Sequence, residues 1–195
     1  EELIVLEEEK KNEAFKKQFV DVTEENWYYD SVKYAYTKGL FKGIEENQFA
    51  PNMTMNRAML VTVLHRLDGE EKVETNEIFD DIQKDSYYQE AVNWASSNKI
   101  VQGIGEGEFA PLNEITREQL VVMLYRYAKL KGQDMETEID FTNYADRNDI
   151  SSYAEEAFAW AIKQGYVNGR SESELAPKAT ATRAEVATIL MRFKI

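Results

Sequence analysis

The 195-residue sequence contains no cysteine, which excludes disulfides and thiolate metal sites but says little about compartment. It has a single histidine, His65. Without a second imidazole there is no transition-metal cluster, and no serine nucleophile has a plausible histidine partner. No apolar run approaches the roughly 20 residues that span a bilayer, so no transmembrane segment is expected. Residues 1–17 are charged and lack a hydrophobic signal core, so any secretion signal is expected to have been removed or to lie outside this sequence. Basic residues are scarce: 23 Lys and Arg against 36 Asp and Glu give a net charge of −13. That argues against nucleic acid as a partner, since a duplex binder needs a basic face. An anionic ligand would be met against the overall field, so its site must be local, with its own donors.

What the chain does have is repetition, and an ordinary hydrophobic content of 43%, enough for a folded core. Trp27 to Arg66 aligns without gaps on Tyr87 to Arg126, and again on Tyr153 to Arg192. Gly43, Gly103 and Gly169 coincide, as do the Ala-Pro pairs at Pro51, Pro111 and Pro177. Each unit reads as helix, long loop, helix. The first helices are expected near Asp30–Lys38, Gln89–Asn98 and Glu155–Gln164. The second carry apolar residues at i, i+3, i+4 and i+7, as in Leu60, Val63, Leu64 and Leu67. Two helices cannot bury such a stripe alone, so the units must cover one another, stacked or closed around a pseudo-threefold axis, and closure is favoured. The divisions expected are a helical N-terminal segment at 1–18, a first repeat at 19–69, a linker and second repeat at 70–131, and a linker and third repeat at 132–195. Asp68–Ile78 and Leu130–Asn143 read as polar, acidic linkers.

The second helices open Asn56-Arg57-Ala58-Met59, Thr116-Arg117-Glu118-Gln119 and Thr182-Arg183-Ala184-Glu185. Asn and Thr are good N-caps, and the last two tetrads are capping boxes. The arginine is not explained that way. A cation at the first helical position faces the positive end of the helix dipole, at a cost of roughly 0.3–1 kcal/mol. Two uses fit: a pocket made of guanidinium and free helix N–H groups for a carboxylate or phosphate, or an ion pair with an acid of the next unit. Arg66, Arg126 and Arg192, near the C-terminal ends of the same helices, sit where a cation is favourable and read as structural.

These residues resemble the S-layer homology (SLH) family. The features that match are Phe19-Val20-Asp21-Val22 and Phe79-Asp80-Asp81-Ile82, the Gly-to-Phe-Ala-Pro loops at 43–51 and 103–111, and the Thr-Arg-Ala-Glu-like tetrads. The resemblance covers about residues 19–193. It implies an all-α fold of three helix-loop-helix repeats, closed into a pseudo-threefold prism with a central three-helix bundle and grooves between repeats. It also implies a secreted, non-enzymatic module of a bacterial surface layer or cell wall, with no cofactor, metal or catalytic residue. Its partner would be a pyruvylated secondary cell-wall polysaccharide, and further domains of the same surface protein would be its cargo. On that reading Arg57, Arg117 and Arg183 receive the ketal carboxylate. Gly43, Gly103 and Gly169 let backbone approach the sugar, and Trp27, Tyr87 and Tyr153 give it an apolar platform.

The departures are Asn56 and Met59 in the first tetrad, and in repeat three Arg170, Leu175 and a loosely matching entry segment, Tyr144-Ala145-Asp146. The grooves are therefore expected to differ in affinity. His65 aligns with Tyr125 and Met191, which argues against a catalytic or metal role, and Tyr34, Trp94 and Trp160 read as core. No acidic pair recurs at a spacing that suggests a glycosidase, and no calcium-loop ligand series is complete. The alternatives to glycan anchoring are a protein–protein or self-assembly module of a surface layer, and peptidoglycan binding.

Overall fold

A computed structural model describes residues 13–74, 78–138 and 140–193. The N-terminal segment expected to be helical falls largely on residues 1–12, outside the described residues; a single helical turn stands at 13–16. The described residues hold six α-helices of nine residues or more and no β-strand. They are α1 (Tyr29–Thr37), α2 (Arg57–Leu67), α3 (Gln89–Ser97), α4 (Arg117–Leu130), α5 (Glu155–Lys163) and α6 (Arg183–Arg192). The fold is all-α, with a first and a second helix per repeat.

The chain forms two compact units, Glu1–Met53 with Thr182–Met191, and Thr54–Ala181 with Arg192–Ile195. In the first, Phe15 packs edge-on against Phe19 and Tyr29, and Phe49 meets Phe19 and Phe41. Val32 and Ala35 of α1 are fully buried behind them.

In the second unit, the second helix of one repeat packs on the first helix of the next: α2 on α3, and α4 on α5. Trp94 and Trp160 are fully buried there, as core residues. Trp94 lies 5.1 Å from the His65 ring and 5.9 Å from Tyr127. His65 itself is buried and shares a 2.8 Å hydrogen bond between Nε2 and the Glu71 carbonyl.

The first helices end where the backbone turns left-handed, at Gly39 (φ +72°), Lys99 (φ +59°) and Gly165 (φ +72°). Glycine adopts this conformation without a Cβ clash, so Lys99 carries strain that its two counterparts avoid.

Two residues before each tetrad arginine, the chain joins a closed ring of backbone hydrogen bonds. Met55 N–H donates to Ala181 O, Ala181 N–H to Ile115 O, and Ile115 N–H to Met55 O, at 2.9, 3.2 and 2.9 Å. All three residues are fully buried. One segment from each repeat is thereby tied to the other two.

The linkers depart from expectation at their starts. Helix α4 runs on to Leu130. Asp68 is not a solvated linker residue, since its side chain is 3% exposed and paired with Lys131. Its carboxylate also accepts hydrogen bonds from Trp94 Nε1 (3.2 Å) and Tyr127 Oη (3.1 Å). Position as the helix C-cap turns it back over the aromatic residues of the next repeat, where a carboxylate is stable only because three donors meet it. Burial, with Asp68 close by, pushes the Tyr127 phenol far above its ordinary value.

Candidate functional site

The site is built from a local device that recurs three times. Asp21, Asp81 and Asp146 each place their two carboxylate oxygens on successive backbone N–H groups. Asp21 accepts from Phe49 and Ala50 (2.9 and 2.7 Å), and Asp81 from Phe109 and Ala110 (2.8 and 2.6 Å). Asp146 accepts from Leu175 and Ala176 (3.0 and 2.7 Å), although its entry segment matches the repeat pattern only loosely. The pincer holds Ala50, Ala110 and Ala176 at φ +55°, +57° and +52°, a conformation that costs a non-glycine residue roughly 1–2 kcal/mol. The carbonyl of the preceding residue is thereby turned toward a tetrad arginine.

Arg57, Arg117 and Arg183 are 5–6% exposed. Their Nε groups donate to Phe109 O, Leu175 O and Phe49 O at 2.8, 2.9 and 2.8 Å. Their Nη2 groups donate to Gln102 O, Asn168 O and Lys42 O at 3.2, 3.0 and 2.7 Å. The guanidinium of Arg57 lies 4.6 Å from the centroid of Phe109, and that of Arg183 lies 4.5 Å from Phe49. Each arginine therefore clamps a distant loop through backbone carbonyls, a use neither sequence reading anticipated. Burial lowers the pKa of Arg57, and the Asp81 charge acts in the opposite sense. Among the described residues, no carboxylate bonds to Arg57, and its Nη1 carries no protein partner.

The helix N–H groups, which the anion-pocket reading leaves free, are occupied. Arg57 N–H donates to Asn113 O and Ala58 N–H to Pro111 O, while Met59 N–H donates to the Asn56 side chain. Glu118 N–H is likewise taken by Pro177 O, and Ala184 N–H by Pro51 O. The capping boxes of Thr116 with Gln119 and Thr182 with Glu185 form as expected. Loop carbonyls crowded at the helix start also explain the arginine's position: they offset the positive end of the dipole. An anion would therefore be met by side chains rather than by these N–H groups.

Around Arg57 lies a groove of about 190 Å³ within one unit. Gly103 and Ile104 line it, as do Met123 and Arg126 of α4 and Tyr153. Three of the residues singled out from the sequence, Arg57, Gly103 and Tyr153, thus converge from three different repeats. Arg126, whose helix-end position suggests a structural role, stands on the groove wall. It donates to Ile100 O (3.4 Å) and Gln102 Oε1 (3.5 Å). The recurrence of Arg66, Arg126 and Arg192 is the sequence signal that marks this position.

The aromatics expected as a platform are exposed: Trp27 by 68%, Tyr87 by 62% and Tyr153 by 55%. Trp27 stands edge-on to Tyr28, and Tyr87 to Tyr88. Burial, helped by Tyr88, raises the Tyr87 phenol, and the nearby charge of Arg66 opposes this. The glycines have a reason in the chain's own packing. A Cβ on Gly103 would stand 2.7 Å from Glu108 O and 3.0 Å from Phe79 Cε1, and one on Gly43 would stand 2.5 Å from Glu45 O. At Gly169 it would collide with Ser171 O. A tight turn follows each, closed by Ile44, Ile104 and Arg170 N–H on Gln48, Glu108 and Glu174 O.

In comparisons with known proteins, the family model of the S-layer homology domain matches residues 18–58, 78–121 and 143–187. An amylopullulanase of Thermoanaerobacterium thermosulfurigenes is 31% identical over 176 residues, which are 90% of this chain and 9% of that protein. A surface-layer 125 kDa protein of Lysinibacillus sphaericus is 26% identical over 167 residues, 84% of this chain and 14% of its own length. An S-layer protein of Bacillus thuringiensis subsp. finitimus is 25% identical over 185 residues, covering 90% and 21%. The chain spans less than a quarter of the length of each.

Proposed function

This chain belongs to the S-layer homology domain family, a module of cell-surface, wall-associated proteins, and from that premise we propose that it is a non-covalent anchor. It holds a larger surface protein on the bacterial cell wall by binding an acidic secondary cell-wall polysaccharide. The polymer's pyruvate ketal carboxylate meets the guanidinium groups of Arg57, Arg117 and Arg183, and Tyr153, Tyr87 and Trp27 lie against the sugar rings. Gly103, Gly43 and Gly169 keep the adjoining turns narrow.

The observation that carries this reading is the state of Arg57. Its charge sits in a groove beside Arg126, its described hydrogen bonds end on backbone carbonyls, and no carboxylate bonds to it among the described residues. A partly dehydrated cation with no carboxylate bonded to it among the described residues favours an incoming one. A charge-assisted hydrogen bond of that kind contributes about 1.5–3 kcal/mol, or about ten- to a hundredfold in affinity. Several such contacts along one polymer add avidity. The net charge of −13 repels the polymer at a distance, so selectivity rests on contact.

Co-sedimentation with purified sacculi tests the proposal. Binding is expected to native sacculi and to disappear once the secondary polymer is stripped. Retention on stripped sacculi would assign the chain to peptidoglycan instead.

A further inference from the structure

The second tetrad differs from the others at its third residue: Ala58 and Ala184 have no polar side-chain atom there, whereas repeat two has Glu118. Glu118 is 4% exposed, and four donors converge on its carboxylate. Tyr153 Oη donates at 2.8 Å, Ser151 N–H and Oγ at 3.1 Å each, and Lys178 Nζ at 2.7 Å. Lys178 also contacts Ser151 Oγ. Tyr153 in turn lines the Arg57 groove. One buried carboxylate therefore grips the hydroxyl end of an otherwise exposed ring. Nothing equivalent is available in the other repeats. The counterparts of Lys178 are Asn52 and Leu112, and Trp27, at Tyr153's position in repeat one, has no hydroxyl.

We propose that Glu118 is a positioning residue that fixes Tyr153 as a rigid wall of the Arg57 groove and makes this groove the tightest of the three glycan sites. The proposal rests on the anchoring function above and assigns the affinity order within it. A surface tyrosine that must be immobilised on binding gives up side-chain freedom, and one already held by a carboxylate does not. Lys178 completes the device. Its ammonium neutralises Glu118, so the acid does not repel a carboxylate guest at Arg57. The Tyr153 phenol is pushed up to about 12, by burial first and then by its hydrogen bond to Glu118, as expected of a hydroxyl held on a carboxylate.

The test is a site-resolved titration of the full chain by ¹⁵N NMR, with a methyl hexoside bearing a pyruvate ketal as probe. The amides of Gly103, Gly43 and Gly169 follow the carbonyl acceptors of Arg57, Arg183 and Arg117, so each reports its own site. In the wild type the Gly103 amide is expected to give the lowest Kd. Glu118→Ala and Tyr153→Phe are each expected to raise that Kd about three- to tenfold and to leave the values at Gly43 and Gly169 unchanged. The double variant is expected to be no weaker than either single one, because both remove the same contact. A merely structural role for Glu118 would weaken all three sites together with the melting temperature. If Glu118→Ala does not fold, Tyr153→Phe carries the test, since it keeps the ring and removes only the hydroxyl. An unchanged Gly103 Kd in Tyr153→Phe overturns the positioning role while leaving the anchoring function intact. If no glycine amide of the wild type responds, both fall.

Discussion

Arg57 engages Phe109 twice: its Nε donates to the Phe109 carbonyl at 2.8 Å, and its guanidinium carbon lies 4.6 Å from the centroid of the same residue's ring. The loop that carries Phe109 is set by Asp81, so the arginine reads the position of a pincer 24 residues after it in sequence. Arg57 is thus a structural clamp as well as the proposed receptor, and its substitution has consequences for both.

Replacing Arg57 by Ala removes the donors to Phe109 O and Gln102 O. A buried acceptor left unmatched costs about 1–3 kcal/mol, so Arg57→Ala is expected to lose about 2–4 kcal/mol in urea denaturation. Arg57→Lys keeps the charge but not the planar fork and is expected to recover less than half of that loss. Wild-type stability for Arg57→Ala would show that the clamp contributes nothing.

Lys99 occupies a left-handed position filled by Gly39 and Gly165 in the other repeats, and its side chain is exposed. Lys99→Gly is expected to raise stability by about 0.5–1 kcal/mol, the relief of Cβ strain less the entropy added to the unfolded chain. The same measurement on Asn98→Gly, whose position is not left-handed, is expected to show no gain.

What is legible in the sequence divides along range in the chain. Helix starts at Arg57, Arg117 and Arg183 were legible because the caps, the boxes of the last two and the apolar stripe are local signals. Trp94 and Trp160 were legible as core from helical spacing, whereas Tyr34 at the same position is only half-buried. Asp68 was not: a lone acid at a helix end reads as solvated, and its partners Trp94, Tyr127 and Lys131 lie 26 to 63 residues away in the chain. The Asp pincers were seen only as part of a family pattern, and nothing in the spelling says that both carboxylate oxygens hold a strained alanine. The convergence of Arg57, Gly103 and Tyr153 depends on how three repeats meet, which residue identity does not encode.

Glu118 supplies a pH dependence. Burial raises its pKa, but the hydrogen bonds from Lys178, Ser151 and Tyr153 outweigh burial and hold it below the ordinary 4.5. A depressed folded-state value means that the carboxylate stabilises the fold above the unfolded-state value, and that this stabilisation is lost as the pH falls through the folded-state value. The stability gap between wild type and Glu118→Gln is therefore expected to be constant from about pH 7 to 5. It is expected to narrow below about pH 4.5. Chemical denaturation at a series of pH values checks this, and a gap independent of pH down to about 3 would contradict the assignment.

The most direct measurement of the central claim is calorimetry of the wild-type chain against one wall polysaccharide in two forms, pyruvylated and depyruvylated, in the same buffer. A guanidinium that receives the ketal carboxylate predicts binding of the first form and at least about tenfold weaker binding of the second. Equal affinity for the two would contradict it.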